Sequence, residues 1–423
     1  MAKIIRKMKR INKKADEVIM DLERDMKSES RWAAIQALIP LGLKAVELEL
    51  QREIRDLVGE RYSRGEGDVK RWGENPGSVY LGDQKVSVAV PRVRNLSTKQ
   101  EVTLKSYERL QNPQLVDDMA LTRVIHGMSQ RNYEKAAVHV PETFGIKKTS
   151  ICRRFIRASA KKLQAFTERD LSDYDIVAIF IDGKFFAENE IVIALGVTIK
   201  GEKILLGFVE TSTENQVVCR QFLNGLRDRG LNLESEILFI LDGGKGLHKG
   251  VKDVMGAKAV IQRCQWHKRE NVVSYLDKKQ QVEFRKKLQG AYQQATYEKA
   301  KKRLNGIKRE LSLLNKSAVA SLEEGLEQTL TLHKLGLFSK LGESFKTTNC
   351  IESVNRQLGT HTDRVDHWQN SDQRQRWVAT AMLEIEPRLR TVKGHKFMNE
   401  LRVAMKKFVN NNEQNIKEIK SAS

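Results

Sequence analysis

The spacing of apolar positions changes several times along the chain. Up to about residue 63 there are few helix breakers. Ile35, Leu38, Leu41, Leu43, Val46 and Leu50 recur at helical intervals, which predicts helix. Gly59, Gly65, Gly67, Gly73, Pro76 and Gly77 then interrupt the pattern. Within residues 78–105 the run Val86-Ser-Val-Ala-Val-Pro91 alternates with a period of two, which predicts a small hairpin, followed by the basic Arg92, Arg94 and Lys99. Helical spacing returns from about 113 to 168 in two or three short pieces. There Tyr133 to Val140, a turn containing Gly145, and a second helix starting near Thr149 or Ser150 would make a helix-turn-helix. Lys147 and Lys148 precede that second helix and Arg153, Arg154, Arg157, Lys161 and Lys162 decorate it, which fits either a DNA-binding face or an ordinary solvated one.

Beyond residue 170 the texture becomes that of a buried sheet. Ile176-Val-Ala-Ile-Phe-Ile181 is an unbroken apolar run ending in Asp182, as expected of a strand covered on both faces. Residues 191–198 and 203–210, joined by the turn at Lys200-Gly-Glu202, extend it to a three-strand meander. A helix over 214–229 leads to a fourth buried strand, Ile237-Leu-Phe-Ile-Leu241, which ends in Asp242. A further helix (about 245–255) and a short strand (257–262) complete the order β-β-β-α-β-α-β. That is the order of the ribonuclease H-like fold, an α/β class in which the first and fourth strands lie side by side. Residues 268–340 read as a polar, basic, helical insertion, ahead of a closing helix that carries Ile351-Glu-Ser-Val-Asn-Arg356. The polar tail after 393 is expected to be loosely ordered at its end.

Charge changes the picture more than composition does. Hydrophobic residues make up 40% of the 423, enough for real cores, and the length calls for two to four domains. Lys plus Arg number 75 against 54 Asp plus Glu, a formal charge of +21, which attracts a polyanion through phosphate neutralisation and counterion release. A membrane role is disfavoured because no apolar run approaches the roughly 18 residues needed to cross a bilayer. Met1 to Lys14 lack the apolar stretch of a secretion signal and carry Lys3, Arg6, Lys7, Lys9, Arg10, Lys13 and Lys14 instead. Cys152, Cys219, Cys264 and Cys350 are widely spaced, as in a reducing compartment, so the expected address is the cytoplasm, on the nucleoid.

The candidate chemistry lies at the strand ends. Two aspartates, each following a buried apolar run, and a glutamate on a neighbouring helix form a hard-oxygen set for Mg²⁺ or Mn²⁺: Asp182, Asp242 and Glu352. Two such ions roughly 4 Å apart would activate the attacking oxygen and stabilise the leaving one in phosphodiester chemistry. Gly243-Gly-Lys-Gly246 lacks the spacing of a nucleotide-binding loop, and its glycines fit close backbone approach to a phosphate or to the metal site. Cys264-Gln-Trp-His267 supplies two ligands where a structural zinc takes four, and no second pair is evident. The spacing therefore favours a buried cysteine beside a polar histidine over zinc, with a second metal site the alternative.

At these residues the chain resembles the mutator-type transposases of bacterial insertion sequences, DDE transposases related to plant Mutator elements. Four blocks carry the resemblance: Phe180-Ile-Asp-Gly183, Leu241-Asp-Gly-Gly-Lys-Gly246, Gln262-Arg-Cys-Gln-Trp-His-Lys-Arg-Glu-Asn271 and Thr347-Thr-Asn-Cys-Ile-Glu-Ser-Val-Asn-Arg356. It covers about residues 170–385. It implies catalysis by Asp182, Asp242 and Glu352, with Cys264 and His267 in the family's CxxH, and Asn355 and Arg356 helping to position the site or DNA. Gly183, Phe185, Phe186 and Cys350 depart from the usual family pattern. The implied activity is metal-dependent hydrolysis and strand transfer at terminal inverted repeats. The implied partners are double-stranded repeat and target DNA, bound by a homodimer or larger assembly, with Lys147, Lys148, Arg153, Arg154, Arg157, Lys245 and Arg356 as candidate DNA contacts. A nuclease that cuts without joining and a non-catalytic repressor remain the alternatives. The expected division is a helical basic region (1–75), a β-rich segment (76–112), a helix-turn-helix domain (113–170), a catalytic domain (171–275 and 341–390), a helical insertion (276–340) and a basic tail (391–423).

Overall fold

The computed structural model describes residues 28–61, 67–81, 84–112, 114–131, 133, 143–144, 147–186, 188–212 and 215–421. The chain divides into two compact units, Met1–Ala158 and Ser159–Ser423. The basic opening from Lys3 to Lys14 and most of the expected helix-turn-helix, including Pro141 and Gly145, lie outside the described residues.

In the first unit, helix α1 (Ser28–Val58) covers an antiparallel hairpin of β1 (Val69–Leu81) and β2 (Gln84–Asn95). Val46, Leu50 and Ile54 recur every four residues, so they form one stripe that packs on Val79, Val93 and Leu104. The hairpin starts well before the expected residue 78, because β1 absorbs the residues that read as breakers. Its register shifts between Arg71 and Glu74, where Gly73 takes φ +94. A Cβ on Gly77 would sit 2.4 Å from Val90, so only glycine allows that approach. Short strands β3 (Glu101–Val102) and β4 (Thr143–Phe144) both pair with β2, and helices α2 (Lys105–Leu110) and α3 (Gln114–Ile125) follow β3. Helix α4 (Lys148–Thr167) begins in this unit.

The second unit is built on a five-stranded sheet, ordered β7-β6-β5-β8-β9. Its strands are β5 (Ile176–Phe186), β6 (Asn189–Thr198), β7 (Lys203–Thr211), β8 (Ile237–Leu241) and β9 (Ala259–Arg263). β5, β6 and β7 form an antiparallel meander, while β5–β8 and β8–β9 pair in parallel. Both faces are covered, which is why Ile176–Ile181 of β5 and the whole of β8 are apolar rather than alternating. Ile176, Ile179 and Ile181 pack with helices α5 (Gln216–Asp228) and α6 (Lys245–Met255), through Phe222, Leu223, Leu247 and Val251. Val177, Ala178 and Phe180 face the opposite cluster.

From β9 the chain continues through α7 (Gln265–Val273), α8 (Lys278–Tyr292), α9 (Tyr297–Ser312), α10 (Lys316–Glu323), α11 (Leu326–Thr329) and α12 (Thr331–Lys334). Val272, Phe284, Leu288, Leu304, Leu311 and Leu322 give most of this helical stretch a small core of its own. The chain then returns to the sheet as α13 (Phe338–Phe345), α14 (Asn349–Thr362), α15 (Ser371–Ile385) and α16 (Met398–Ser421). α16 is a helix whose Leu401, Met405 and Val409, four residues apart, are buried in the cluster with Phe180, Val354 and Met382.

Candidate active site

The parallel pairing of β5 with β8 ends at Ile181 opposite Leu241, so Asp182 and Asp242 are the next residues on two neighbouring strands. Asp182 is not the end of its strand: β5 runs on to Phe186, with Asp182 opposite Ile193 of β6. Asp182 is 9% exposed, and Asn355 Nδ2 donates to its Oδ2 at 2.9 Å. Asp242 lies beyond the end of β8, where the Gly244 N–H donates to its Oδ1 at 2.8 Å. Glu352 sits in the first turn of α14, where the unpaired N–H groups of a helix start favour a negative charge. The i, i+3 spacing of Glu352 and Asn355 puts both on one helix face.

Cys264 and His267 complete the surroundings. The Cys264 N–H donates to Leu241 O at 2.8 Å, so the start of α7 is tied to the residue before Asp242. Thr348 joins the two halves. Its hydroxyl lies 2.5 Å from Glu352 Oε1, 3.3 Å from His267 Nδ1 and 3.4 Å from Cys264 Sγ. The hydroxyl proton can go to Glu352 Oε1, the shortest contact, or to Cys264 Sγ, while the oxygen can accept from the His267 ring N–H.

Electrostatics tie these residues into one site. Burial, then the charges of Asp242 and Glu352, push the Asp182 carboxyl up to about 7, with His267 and the Asn355 hydrogen bond pulling the other way. His267 is raised to about 9, first by its hydrogen bond with Cys264 and, against burial, by the charges of Cys264, Asp242 and Glu352. Cys264 is lowered despite burial, through hydrogen bonds with His267 and Thr348. Thiol and imidazole therefore form a hydrogen-bonded pair beside the carboxylates.

Among the described residues, no group of three or more His, Cys, Asp or Glu side chains is gathered tightly enough to grip one metal ion as it stands. The donor set nevertheless suits a hard divalent cation. The Asp182 carboxyl is raised to about 7, first by burial and then by the charges of Asp242 and Glu352, and Asn355, which donates to it, has its Oδ1 buried without a partner.

The candidate DNA contacts fare differently. Lys147, Lys148 and Arg153 are exposed on or next to α4 in the first unit. Arg154 is only 3% exposed, 4.0 Å from Asp117 and over the Tyr80 ring, so its guanidinium serves the interior of that unit rather than a DNA surface. Arg157 is half-exposed but grips Asp117 with two hydrogen bonds, of 2.9 and 2.8 Å. In the second unit, Lys245 is exposed in the first turn of α6 and Arg356 is exposed on α14. Two supporting residues escaped the sequence reading. Thr348 stands at the start of α14, four residues before Glu352, so the two lie on one face of that helix. Lys184, whose Nζ donates to Asn355 O at 2.8 Å, carries no local signal, since its partner lies 171 residues away.

Comparison with known proteins gives the class first. The description "Transposase, Mutator family" matches residues 13–389, and the chain belongs to that family. Among curated relatives it is similar to the transposase for insertion sequence element IS905 of Lactococcus lactis, 25% identical over 53% of this chain and 57% of the relative. It is also similar to that of IS6120 of Mycolicibacterium smegmatis, 26% identical over 54% of this chain and 72% of the relative. The transposase for IS256 in transposon Tn4001 of Staphylococcus aureus is 24% identical over 71% of this chain and 77% of the relative. The match to the Lactococcus relative thus spans little more than half its length.

Proposed function

We propose that this chain is a DDE-type transposase. It would bind the terminal inverted repeats of an insertion sequence, hydrolyse a phosphodiester at the element's end and join the freed 3′-hydroxyl to target DNA. The observation that carries the reading is the placement of Asp182 and Asp242 as successive residues beyond the last paired rung of β5 and β8, with Glu352 acting electrostatically on Asp182. Family membership and the strand order of the sheet, which is that of the ribonuclease H-like fold, support it.

Asp182, Asp242 and Glu352 are the residues that would hold two Mg²⁺ or Mn²⁺ ions. Such ions supply activation of the attacking oxygen and neutralisation of charge at the leaving one. The rest is the work of this chain's own side chains. Asn355 aims the Asp182 carboxylate, Gly244 N–H fixes Asp242, and Thr348 holds Glu352. His267, held beside them by Cys264, lends positive charge to a site that must admit a phosphodiester. The first unit, with Lys147, Lys148 and Arg153 on its surface, would contribute to binding the element ends, and paired ends call for a dimer or larger assembly.

The experiment is strand joining by the purified full chain with Mg²⁺ and DNA bearing the element's own ends. Joined product supports the transposase reading. Hydrolysis without joining makes the protein a nuclease, and binding without either makes it a repressor.

A further inference from the structure

Behind Asp242, on the side of the sheet edge formed by α6 and the loop ahead of α11, lies a cavity of about 460 Å³. Leu241 and Gly243, the residues on either side of Asp242, line it, together with Lys245, His248, Lys249, Lys252, Arg263, Glu324 and Gln328. The four residues from α6 fall at i, i+3, i+4 and i+7, so they form one continuous face of that helix. The opposite face, with Leu247, Val251 and Met255, is buried on the sheet. Lysines four residues apart repel one another, and Lys245–Lys249 is such a pair. Nothing about the fold of α6 needs these lysines on one face.

Arg263 makes the floor. It is 7% exposed, and its Nε has no hydrogen-bond partner. Backbone closes on it from two sides, at residues where only glycine fits. A Cβ on Gly243 (φ +136) would lie 2.5 Å from its Nε, and one on Gly325 (φ +68) 2.5 Å from its Nη1. The lining holds one carboxylate, Glu324, 3.5 Å from the Arg263 guanidinium, against Lys245, Lys249, Lys252 and Arg263. His248 does not add to the excess: burial, then Lys252 and Arg263, lower its pKa, and its Nε2 lies 2.7 Å from the Gln328 amide nitrogen, which donates to the neutral ring. The cavity is thus a cationic socket at the start of a helix, with one buried guanidinium and a surplus of positive charge.

We propose that this socket binds a backbone phosphate of the DNA strand next to the phosphodiester cut at Asp242, with Lys249, Lys252 and Arg263 as its principal contacts. The proposal rests on the transposase reading and adds to it a positioning subsite that includes a residue of the helical insertion, Glu324. Glu324 is the competitor: its carboxylate lies 3.5 Å from the Arg263 guanidinium, whose Nη1 also donates to Glu324 O at 2.9 Å, and 3.6 Å from Lys268 Nζ. Fixing a neighbouring phosphate sets the register of the strand, which is how backbone contacts act in nucleic-acid recognition.

The test is equilibrium binding of an element-end duplex by the full chain, across a salt series, with DNA cutting scored in the same samples. Lys249→Gln combined with Lys252→Gln should weaken binding by about tenfold or more and reduce the slope of log affinity against log salt by up to about one, the share of a single phosphate. Glu324→Gln should tighten binding. A duplex carrying one uncharged methylphosphonate beside the cut should weaken the wild type more than the double lysine variant, which keeps only Arg263 of the three contacts. An unchanged slope, or losses that simply add at every methylphosphonate position, overturns the proposal. If the wild type cuts DNA in those samples, the transposase reading survives that result, whereas a wild type that neither binds nor cuts overturns both. Inorganic phosphate is the remaining arm. If it raises the melting temperature of the wild type but not of the lysine variant, and DNA binding is the same in both, the socket serves free phosphate and the DNA assignment is wrong.

Discussion

The Asn355 side chain donates to Asp182 across 173 residues of sequence, at 2.9 Å, from a helix that also carries Glu352 one turn earlier. One helix therefore supplies a carboxylate to the site and, through an amide, orients a second carboxylate on the neighbouring strand. Removing that amide should misplace Asp182 without disturbing the surface that meets DNA. Asn355→Ala is expected to cut at a rate about 10- to 100-fold below wild type while binding element ends equally well. Equal cutting rates would show that Asp182 needs no such support.

Asp182 should be a cost to the fold when no cation is present. Its folded pKa of about 7 lies above the ordinary 3.8. An acid raised in this way adds no penalty below its unfolded value; the penalty grows as pH rises through the interval and is full above about 7. In EDTA, Asp182→Asn should therefore melt higher than wild type at pH 8 and nearly with it at pH 4, with an effect on the order of a few kcal/mol at most. Matching melting temperatures at both pH values would remove the case for a strained carboxylate.

Thr348 holds Glu352 through a hydroxyl that also meets His267 and Cys264. Thr348→Val keeps the shape and deletes that hydroxyl. The expected result is a loss of about 10- to 100-fold in cutting, largely restored by Thr348→Ser. If valine cuts as fast as threonine, the hydroxyl is structural only.

A separate acid sensitivity resides in His333. It is 4% exposed, stacks on Phe338 with ring centroids 3.8 Å apart, and has Nε2 3.0 Å from Gln294 O. Burial lowers its pKa from the ordinary 6.5. A base depressed in this way leaves stability intact above its unfolded value and removes it as pH falls below. The urea midpoint of wild type should drop between pH 7.5 and 5 by more than that of His333→Gln, and parallel drops would contradict this assignment.

The parts of the fold that were legible in the sequence are those where a local pattern has one physical meaning. Ile176–Ile181 and Ile237–Leu241 are apolar at every position because helices cover both faces, and an aspartate directly after each run could only lie where the paired strands end. The continuation of β5 through Asp182 to Phe186 was not legible, because there the strand pairs on one side only and its composition turns mixed. β1 was hidden by Gly73, Pro76 and Gly77, which look like breakers until Val90 and Tyr107 close against Gly77. The helical character of α16 is hidden because Leu401, Met405 and Val409 are diluted among lysines and asparagines; their burial depends on a sheet assembled far upstream. Arg154 and Arg157 look alike in sequence and both pair with Asp117, but Arg154 also lies over the Tyr80 ring and is buried, while Arg157 stays half-exposed.

The most direct measurement of the central claim is metal-dependent cutting and joining of element-end DNA by wild type, Asp182→Asn, Asp242→Asn and Glu352→Gln, with binding measured on the same preparations. The three-carboxylate account predicts that wild type cuts and joins only with Mg²⁺ or Mn²⁺ and stops in EDTA. It predicts that each variant binds the ends normally but falls at least about 100-fold in cutting. A variant that binds and cuts like wild type would contradict the assignment of that carboxylate, and three such variants would contradict the site.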